Sequence, residues 1–314
     1  MPVKWVVAGV GDIARKRVIP AILEHPESEL YGVVTRDARK AEAYPGVHAW
    51  TALDDALHDD AVNAVYIATP VALHAPYAIA ALRAGKHVLC EKPMAMNYGE
   101  AQAMTAVAAE ARTLLGVAYY RRLYPKLLRL RELLRDGAIG KPVLAEAHCH
   151  NWLDTGDRGW LLDPALAGGG PLYDVACHRI DVFNFLFGAP AKVAALLSNA
   201  VHEVAVEDSA TVSIDYADGV RGIVDVRWNS RIVRDEFRVI CTEGEIDLTS
   251  LNGPQLRVRT LGGERIEELP PHANLHYPLV ANFVCAISGS AALTCTAGDA
   301  VQTDWVIEQA ARPR

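Results

Sequence analysis

Two groups of residues in this chain could do chemistry. The run Cys90-Glu91-Lys92-Pro93 sets a lysine directly after a short apolar segment at 87–90. Pro93 disfavours helical geometry at Lys92 and holds it in an extended or turn conformation. A lysine partly withdrawn from water can exchange a proton with a substrate hydroxyl. Glu-Lys-Pro is equally at home in a surface loop, so the tripeptide does not decide the matter alone. The second group is Asp174, His178 and Asp181. Their spacing of i, i+4 and i+7 puts all three on one side of a helix, with Val175, Ile180, Phe183 and Leu186 supplying its buried side. They follow a Gly168-Gly169-Gly170 loop, an arrangement that suits a substrate pocket. A histidine titrates near neutrality and can act as both acid and base in a reversible carbonyl–alcohol reaction. A solvated stripe would show the same spacing.

The cofactor for such a reaction is suggested by the string VVAGVGDIA at 6–14, where Gly9, Gly11 and Ala14 stand in G-x-G-x-x-A spacing. Gly9 permits the tight turn, Gly11 lets the backbone approach a pyrophosphate, and Ala14 lets helix and strand pack closely. Asp12 and Ile13 lie in the same turn, at the start of a helix whose free N–H groups and positive dipole end face the anion. Nicotinamide coenzymes are told apart at the end of the second strand, where a carboxylate binds the ribose 2′-OH and an arginine accommodates a 2′-phosphate. Thr35 and Arg36 stand there, with Arg39 and Lys40 one turn on and Asp37 past the strand end. The sequence therefore favours NADP, with NAD the alternative. Solvated charges opening a helix would read alike.

The elements that must position these groups alternate over the first 120 residues. Strands are expected at 5–8, 30–34, 65–68 and 87–90, with helices at 13–24 and 73–84. Alternation of this kind predicts βαβ units and a parallel sheet covered on both faces. After about residue 121 the pattern changes. A helix at 124–135, a strand at 143–148 and a helix at 173–187 precede successive strands from 192 to 259, and helices at 279–288 and 298–311 close the chain. Strands at 210–216 and 222–228 flank Ala217-Asp218-Gly219, a hairpin signal. The expected architecture is α/β: an N-terminal Rossmann fold at 1–121, then an α+β domain at 122–314 with an open, mainly antiparallel sheet. The last helix is free to pack back on the Rossmann domain. The strand faces bearing Val212, Ile214 and Tyr216, or Val224, Val226 and Trp228, are read as an apolar surface for a homodimer or homotetramer.

Composition limits the alternatives. The chain of 314 residues is 51% hydrophobic and 22% charged, with 31 Lys and Arg against 38 Asp and Glu. A net charge of −7 repels phosphate backbones and anionic lipid, so neither a nucleic acid nor a membrane is expected as partner. No uncharged apolar run approaches the roughly 20 residues that span a bilayer, and the start of the chain carries no secretory signal pattern. Six scattered cysteines form no Cys-x-x-Cys pair, which speaks against a zinc ribbon and a secreted disulfide framework. The cytoplasm is the expected compartment. His148 and His150 share a strand face, but catalytic zinc needs three protein ligands and the neighbouring sequence offers no third. No metal is expected.

The segment ATPVALHAPYAIAALRAGKHVLCEKPMAMN at 68–97 closely resembles the signature of the Gfo/Idh/MocA family, named for glucose–fructose oxidoreductase and inositol dehydrogenase. The glycine turn, DGAIGKPVLAE at 136–146 and GGGPLYDVACHRIDVFNFLFG at 168–188 extend the resemblance over nearly the whole chain. It implies a sugar or polyol dehydrogenase that uses NAD(P). It implies that Lys92 contacts both substrate and nicotinamide, often next to a cis-proline. Thr69, Pro70 and His74 would belong to the loop near the nicotinamide and ribose, and Glu91 would help anchor the cofactor. The family's Asp-x-Gly-x-His pattern maps onto Asp174 and His178, the histidine sharing proton transfer with the lysine and the Asp positioning sugar hydroxyls. Ala176 replaces the usual Gly of that pattern. Tyr120 lies in the family's stretch between domains, where it touches substrate or serves as a hinge. Trp152 and Trp160 resemble the substrate-side loop, although Leu161 replaces the Arg that often follows. Two other readings fit the same fold: a non-catalytic dinucleotide-binding regulator, and a glycosidase or oxidoreductase that recycles its nicotinamide internally.

Overall fold

A computed structural model describes residues 1–156 and 158–312. The chain forms two compact units, Met1–Tyr120 with His272–Val301, and Arg121–Pro271 with the stretch from Gln302. The first unit holds six parallel strands: β1 (Val3–Ala8), β2 (Ser28–Val34), β3 (His48–Trp50), β4 (Ala64–Ile67), β5 (His87–Cys90) and β6 (Leu115–Val117). Their order is β3-β2-β1-β4-β5-β6, so the direction of winding reverses between β1 and β4, the place where open α/β sheets bind ligands. Near-continuous apolar runs make these strands. Trp5, Val6, Val7 and Ala8 of β1 and all of β4 are fully buried, as strands covered on both faces must be. The sheet carries the glycine turn at the carboxyl end of β1 and Lys92 at the carboxyl end of β5.

The helix expected at 13–24 begins instead as a π-helical turn, Ala14–Val18, and becomes α-helical over Ile19–Glu24. Pro20 is the cause: it has no N–H for the ladder, and the Ile19 N–H reaches back to the Ala14 carbonyl. Tyr98–Ala111 forms a helix whose buried side is Ala101, Met104, Val107 and Ala108, a stripe blurred by the alanines on its other faces. Its signal is the cap, where Asn97 Oδ1 accepts from the Glu100 N–H at 2.9 Å. The helix Tyr277–Ile287 belongs to the first unit, although the composition groups it with the second. It buries Leu279, Val280, Phe283 and Val284, and the Phe283 ring lies 5.5 Å from that of Trp5 in β1.

The second unit is built on eight strands: β7 (Pro142–Trp152), β8 (Pro190–Ser198), β9 (Ser209–Tyr216), β10 (Arg221–Arg227), β11 (Asn229–Cys241), β12 (Gly244–Thr249), β13 (Gln255–Thr260) and β14 (Gly263–Glu268). Their order is β14-β13-β12-β11-β7-β10-β9-β8. All neighbours are antiparallel except β7 and β10, and β9 and β10 form the expected hairpin around 217–219. The apolar faces read as an oligomer surface are covered by the unit's own helix, Cys177–Phe187. Val212, Ile214, Tyr216, Val224 and Val226 are buried. Phe183 sits where a side chain on Gly222 would clash at 2.6 Å, and the Tyr216 hydroxyl donates to Asn184 Oδ1 at 2.8 Å. Trp228 packs with Leu161 and Val206. No helix of the described residues is long and apolar enough to cross a membrane.

Candidate functional site

Gly9 has φ +93°, and a Cβ there would lie 2.6 Å from the Ala68 carbonyl oxygen. The turn is tight because the chain leaving β1 runs at backbone contact with the chain leaving its parallel neighbour β4. Around Gly11 nothing lies within 4 Å of a Cβ position, which leaves the backbone open to a ligand. Asp12, at the helix start, pairs with Lys16 at 2.8 Å; Ile13 is 37% exposed and Ala14 is buried. Next to the turn, the Thr69 Oγ1 is buried with no hydrogen-bond partner. A buried hydroxyl in that state is uncommon and points to a missing polar neighbour. These features fit a dinucleotide laid over the β1–β4 switch point. Gly9→Ala is expected to lower stability by about 1–3 kcal/mol through left-handed strain and the Ala68 clash, and to weaken dinucleotide binding; thermal unfolding and coenzyme titration would check both.

At the end of β2, the Thr35 N–H donates to the Trp50 carbonyl at 2.9 Å. Asp37 is paired with Arg39 at 3.0 and 3.2 Å, and that guanidinium holds its carboxyl below the ordinary range. Arg36 is exposed. The carboxylate that could read a ribose is thus occupied, while Arg36 projects into solvent beside it.

Lys92 is half-buried, and its peptide bond to Pro93 is cis. The loop rests on a buried carboxylate. Glu91 Oε1 accepts from the Tyr66 hydroxyl at 2.8 Å and lies 3.3 Å from His276 Nε2, while Oε2 accepts from the Lys92 backbone N–H at 3.3 Å. Burial pushes the Glu91 carboxyl up, but His276, the Lys92 charge and the Tyr66 hydroxyl outweigh it and keep it below its ordinary value. Burial and the Glu91 charge raise the Tyr66 hydroxyl far above its own, so Tyr66 stays a donor. Glu91 therefore spends its oxygens inside the protein, fixing the lysine loop. His74 acts similarly: its ring nitrogens lie 2.9 Å from the Pro93 carbonyl and 3.0 Å from the Thr69 carbonyl. Its burial lowers the ring's affinity for a proton. His74 ties the Thr69-Pro70 loop to the lysine loop. The Tyr120 ring lies tilted against that of His276, 4.7 Å between centroids.

In the second unit the helix expected at 173–187 opens with a π-helical turn, Leu172–Ala176. Glu207 builds this start, accepting from the Gly170 N–H at 2.8 Å and the Leu172 N–H at 3.0 Å. Asp174 is 20% exposed and has Arg158 NH1 at 3.8 Å; His178 is 7% exposed. Asp181 does not join them as a pocket group. Its carboxylate is buried and held by Arg122 through contacts of 3.1, 3.0 and 2.7 Å. The π turn changes the angular spacing only ahead of residue 177, at Asp174, while Asp181 is drawn into its pair with Arg122. Leu161, the departure noted above, is buried with Val206 and Trp228, and Trp160 packs against the same cluster.

Glu207, Tyr66 and His276 escape a reading of the sequence. His276 lies 185 residues from Glu91, and nothing local marks either partner.

A family model described as an oxidoreductase family with an NAD-binding Rossmann fold matches residues 3–119, and one for the GFO/IDH/MocA C-terminal domain matches 127–247. The chain is 30% identical over 308 residues to 1,5-anhydro-D-fructose reductase of Ensifer adhaerens, covering 95% of this chain and 92% of that one. It is 31% identical over 287 residues to trans-1,2-dihydrobenzene-1,2-diol dehydrogenase of Mus musculus, covering 89% and 84%. Among solved structures, aldose-aldose oxidoreductase from Caulobacter crescentus, complexed with glycerol, superposes with a TM-score of 0.89 at 25% identity, covering 98% of this chain and 96% of that one.

Proposed function

The chain belongs to the GFO/IDH/MocA oxidoreductase family, and from that premise we propose that it moves a hydride between NAD(P) and a CH–OH carbon of a sugar, sugar derivative or polyol. The observation that carries this reading is the lysine loop, held by Glu91, Tyr66 and His74 at the carboxyl end of β5. When bound, the nicotinamide accepts or supplies the hydride. In oxidation, the carbon gives up its hydride and the hydroxyl its proton, leaving C=O. Lys92 takes that proton, with His178 as second acid–base group and Asp174 orienting neighbouring hydroxyls. Tyr120 and Trp160 are proposed to contact the substrate. Thr69 and Pro70 would border the nicotinamide, and Gly9, Gly11, Asp12, Ile13 and Ala14 the pyrophosphate.

The test is turnover of the purified protein on a panel of sugars and polyols with NADP. Net reduction of the coenzyme that tracks carbonyl product supports the reading. Product formed without net coenzyme change identifies internal recycling instead, and a panel with no turnover leaves a regulator.

NADP is the proposed coenzyme, with Arg36 and Thr35 at the 2′-phosphate. Losing a hydrogen bond to a charged group removes about 1.5–3 kcal/mol, so Arg36→Ala is expected to lower the NADP/NAD ratio of kcat/KM about 10–100-fold. An unchanged ratio would overturn the assignment. We propose a cytoplasmic setting, where cysteines are kept reduced. We also propose a homodimer or homotetramer, now through exposed Leu196, Ile232 and Val233; light scattering on a size-exclusion column would read the mass, and a clean monomer would refute it.

A further inference from the structure

His148 and His150 project from one face of β7, and the sheet register sets Asp225 of β10 beside His148. The third donor that the sequence around the histidines lacks is thus supplied by a strand 75 residues away. One ligand atom from each of the three lies within 4.8 Å of the others, and His150 Nε2 is 2.6 Å from Asp225 Oδ1. We propose that His148, His150 and Asp225 form a site for one zinc-class divalent ion, with a fourth position open to water.

Several features make the set more than a chance cluster. Two imidazoles at i and i+2 of a strand, with a carboxylate from its neighbour, give three N/O donors of the kind zinc takes in sites that keep one position open. Zn–N and Zn–O bonds of about 2.0–2.2 Å put tetrahedral donors roughly 3.3 Å apart, so the His150–Asp225 pair opens from 2.6 Å while the other donors already lie within 4.8 Å. The carboxylate is already oriented from behind. Oδ2 accepts from Thr211 Oγ1 at 2.5 Å and from Arg227 NH2 at 2.9 Å, while Oδ1 faces His150. Ligating carboxylates are characteristically held in this way by outer hydrogen bonds. The His148 side chain makes no hydrogen bond among the described residues and lines a depression of about 340 Å³.

Metal binding needs neutral imidazole and ionised carboxylate. Arg227 is the opposing charge. It also donates to Oδ1 through Nε at 2.8 Å, and this is the bond an ion would displace. Its side chain is 39% exposed, so the guanidinium can keep Oδ2 and turn its other edge to water. Glu236 on the far side of His148 pairs with Arg234 at 3.0 Å and is not needed as a ligand.

The test uses tag-free, full-length protein stripped by a chelator and titrated with Co²⁺, whose visible absorption reports tetrahedral coordination. Bands that saturate at one Co²⁺ per chain and vanish on adding equimolar Zn²⁺ are expected. His148→Ala leaves the hydrogen bonds of Asp225 in place and is expected to weaken Co²⁺ binding at least about tenfold, as is His150→Gln. His58→Ala, an exposed histidine of the other unit, is expected to change nothing. Unfolding curves without metal verify that each variant folds; if His150→Gln does not, His148→Ala decides. A titration with no one-equivalent phase, or one that survives loss of His148, overturns the site and leaves Asp225 as a carboxylate shared by Arg227 and His150.

Discussion

Replacing Lys92 by methionine is expected to lower kcat about 10²–10⁴-fold, the contribution of a positioned acid–base group, while NADP affinity changes only a few-fold. Methionine keeps the length and apolar stem of lysine and removes the ammonium. The loop survives, because its supports are the Glu91 carboxylate on the Lys92 backbone N–H and the His74 ring on the Pro93 carbonyl, neither of which uses the lysine side chain. Coenzyme titration by fluorescence and steady-state kinetics on the best substrate of the panel separate the two effects. Equal losses in kcat and kcat/KM indicate an interaction made in the transition state. His178→Ala is expected to fall by a comparable factor. If both groups serve one proton, the double variant loses much less than the product of the two single losses. Turnover near the wild-type rate in Lys92→Met would defeat the mechanism.

The chemistry at Lys92 is legible in the sequence because its determinants are local: an apolar strand, then a lysine fixed by the proline after it. The glycine turn is legible for the same reason, since Gly9 answers to a steric demand that only glycine meets. The Rossmann order follows from buried strands alternating with helices. What the sequence hides is contact across long separations. Tyr66 and His276 reach Glu91, Glu207 reaches the Gly170 loop, and Asp225 reaches His150, each set by sheet register or chain return and by no spacing within a segment. Helix Cys177–Phe187 misleads for another reason. It is buried on every side from Cys177 to Asn184, so polar residues along it need not face a ligand, and periodicity cannot separate a pocket group from an internal ion pair.

Asp181 tests that distinction directly. Asp181→Ala is expected to destabilise the second unit by about 3–5 kcal/mol, because it removes one member of a buried ion pair. The Arg122 and Asp181 side chains are 4% and 1% exposed, so water cannot replace the lost partner. Arg122 also lies over the Phe185 ring, 5.4 Å from its centroid, which holds the guanidinium near the vacated space. For a unit of this size the loss lowers Tm by roughly 10 °C or more, measurable by calorimetry. Removing both charges separates loss of the pair from loss of one member: Arg122→Met with Asp181→Leu is expected to recover most of the stability, since apolar residues of similar volume commonly replace buried ion pairs at little cost. A role in catalysis predicts the opposite pattern. If Asp181 worked beside His178 as the i, i+4, i+7 spacing suggests, the stabilised double variant would still be inactive. If it serves only to seat the helix, kcat per folded molecule returns with stability to within a few-fold of wild type, while Lys92→Met and His178→Ala remain slow in a fully folded protein.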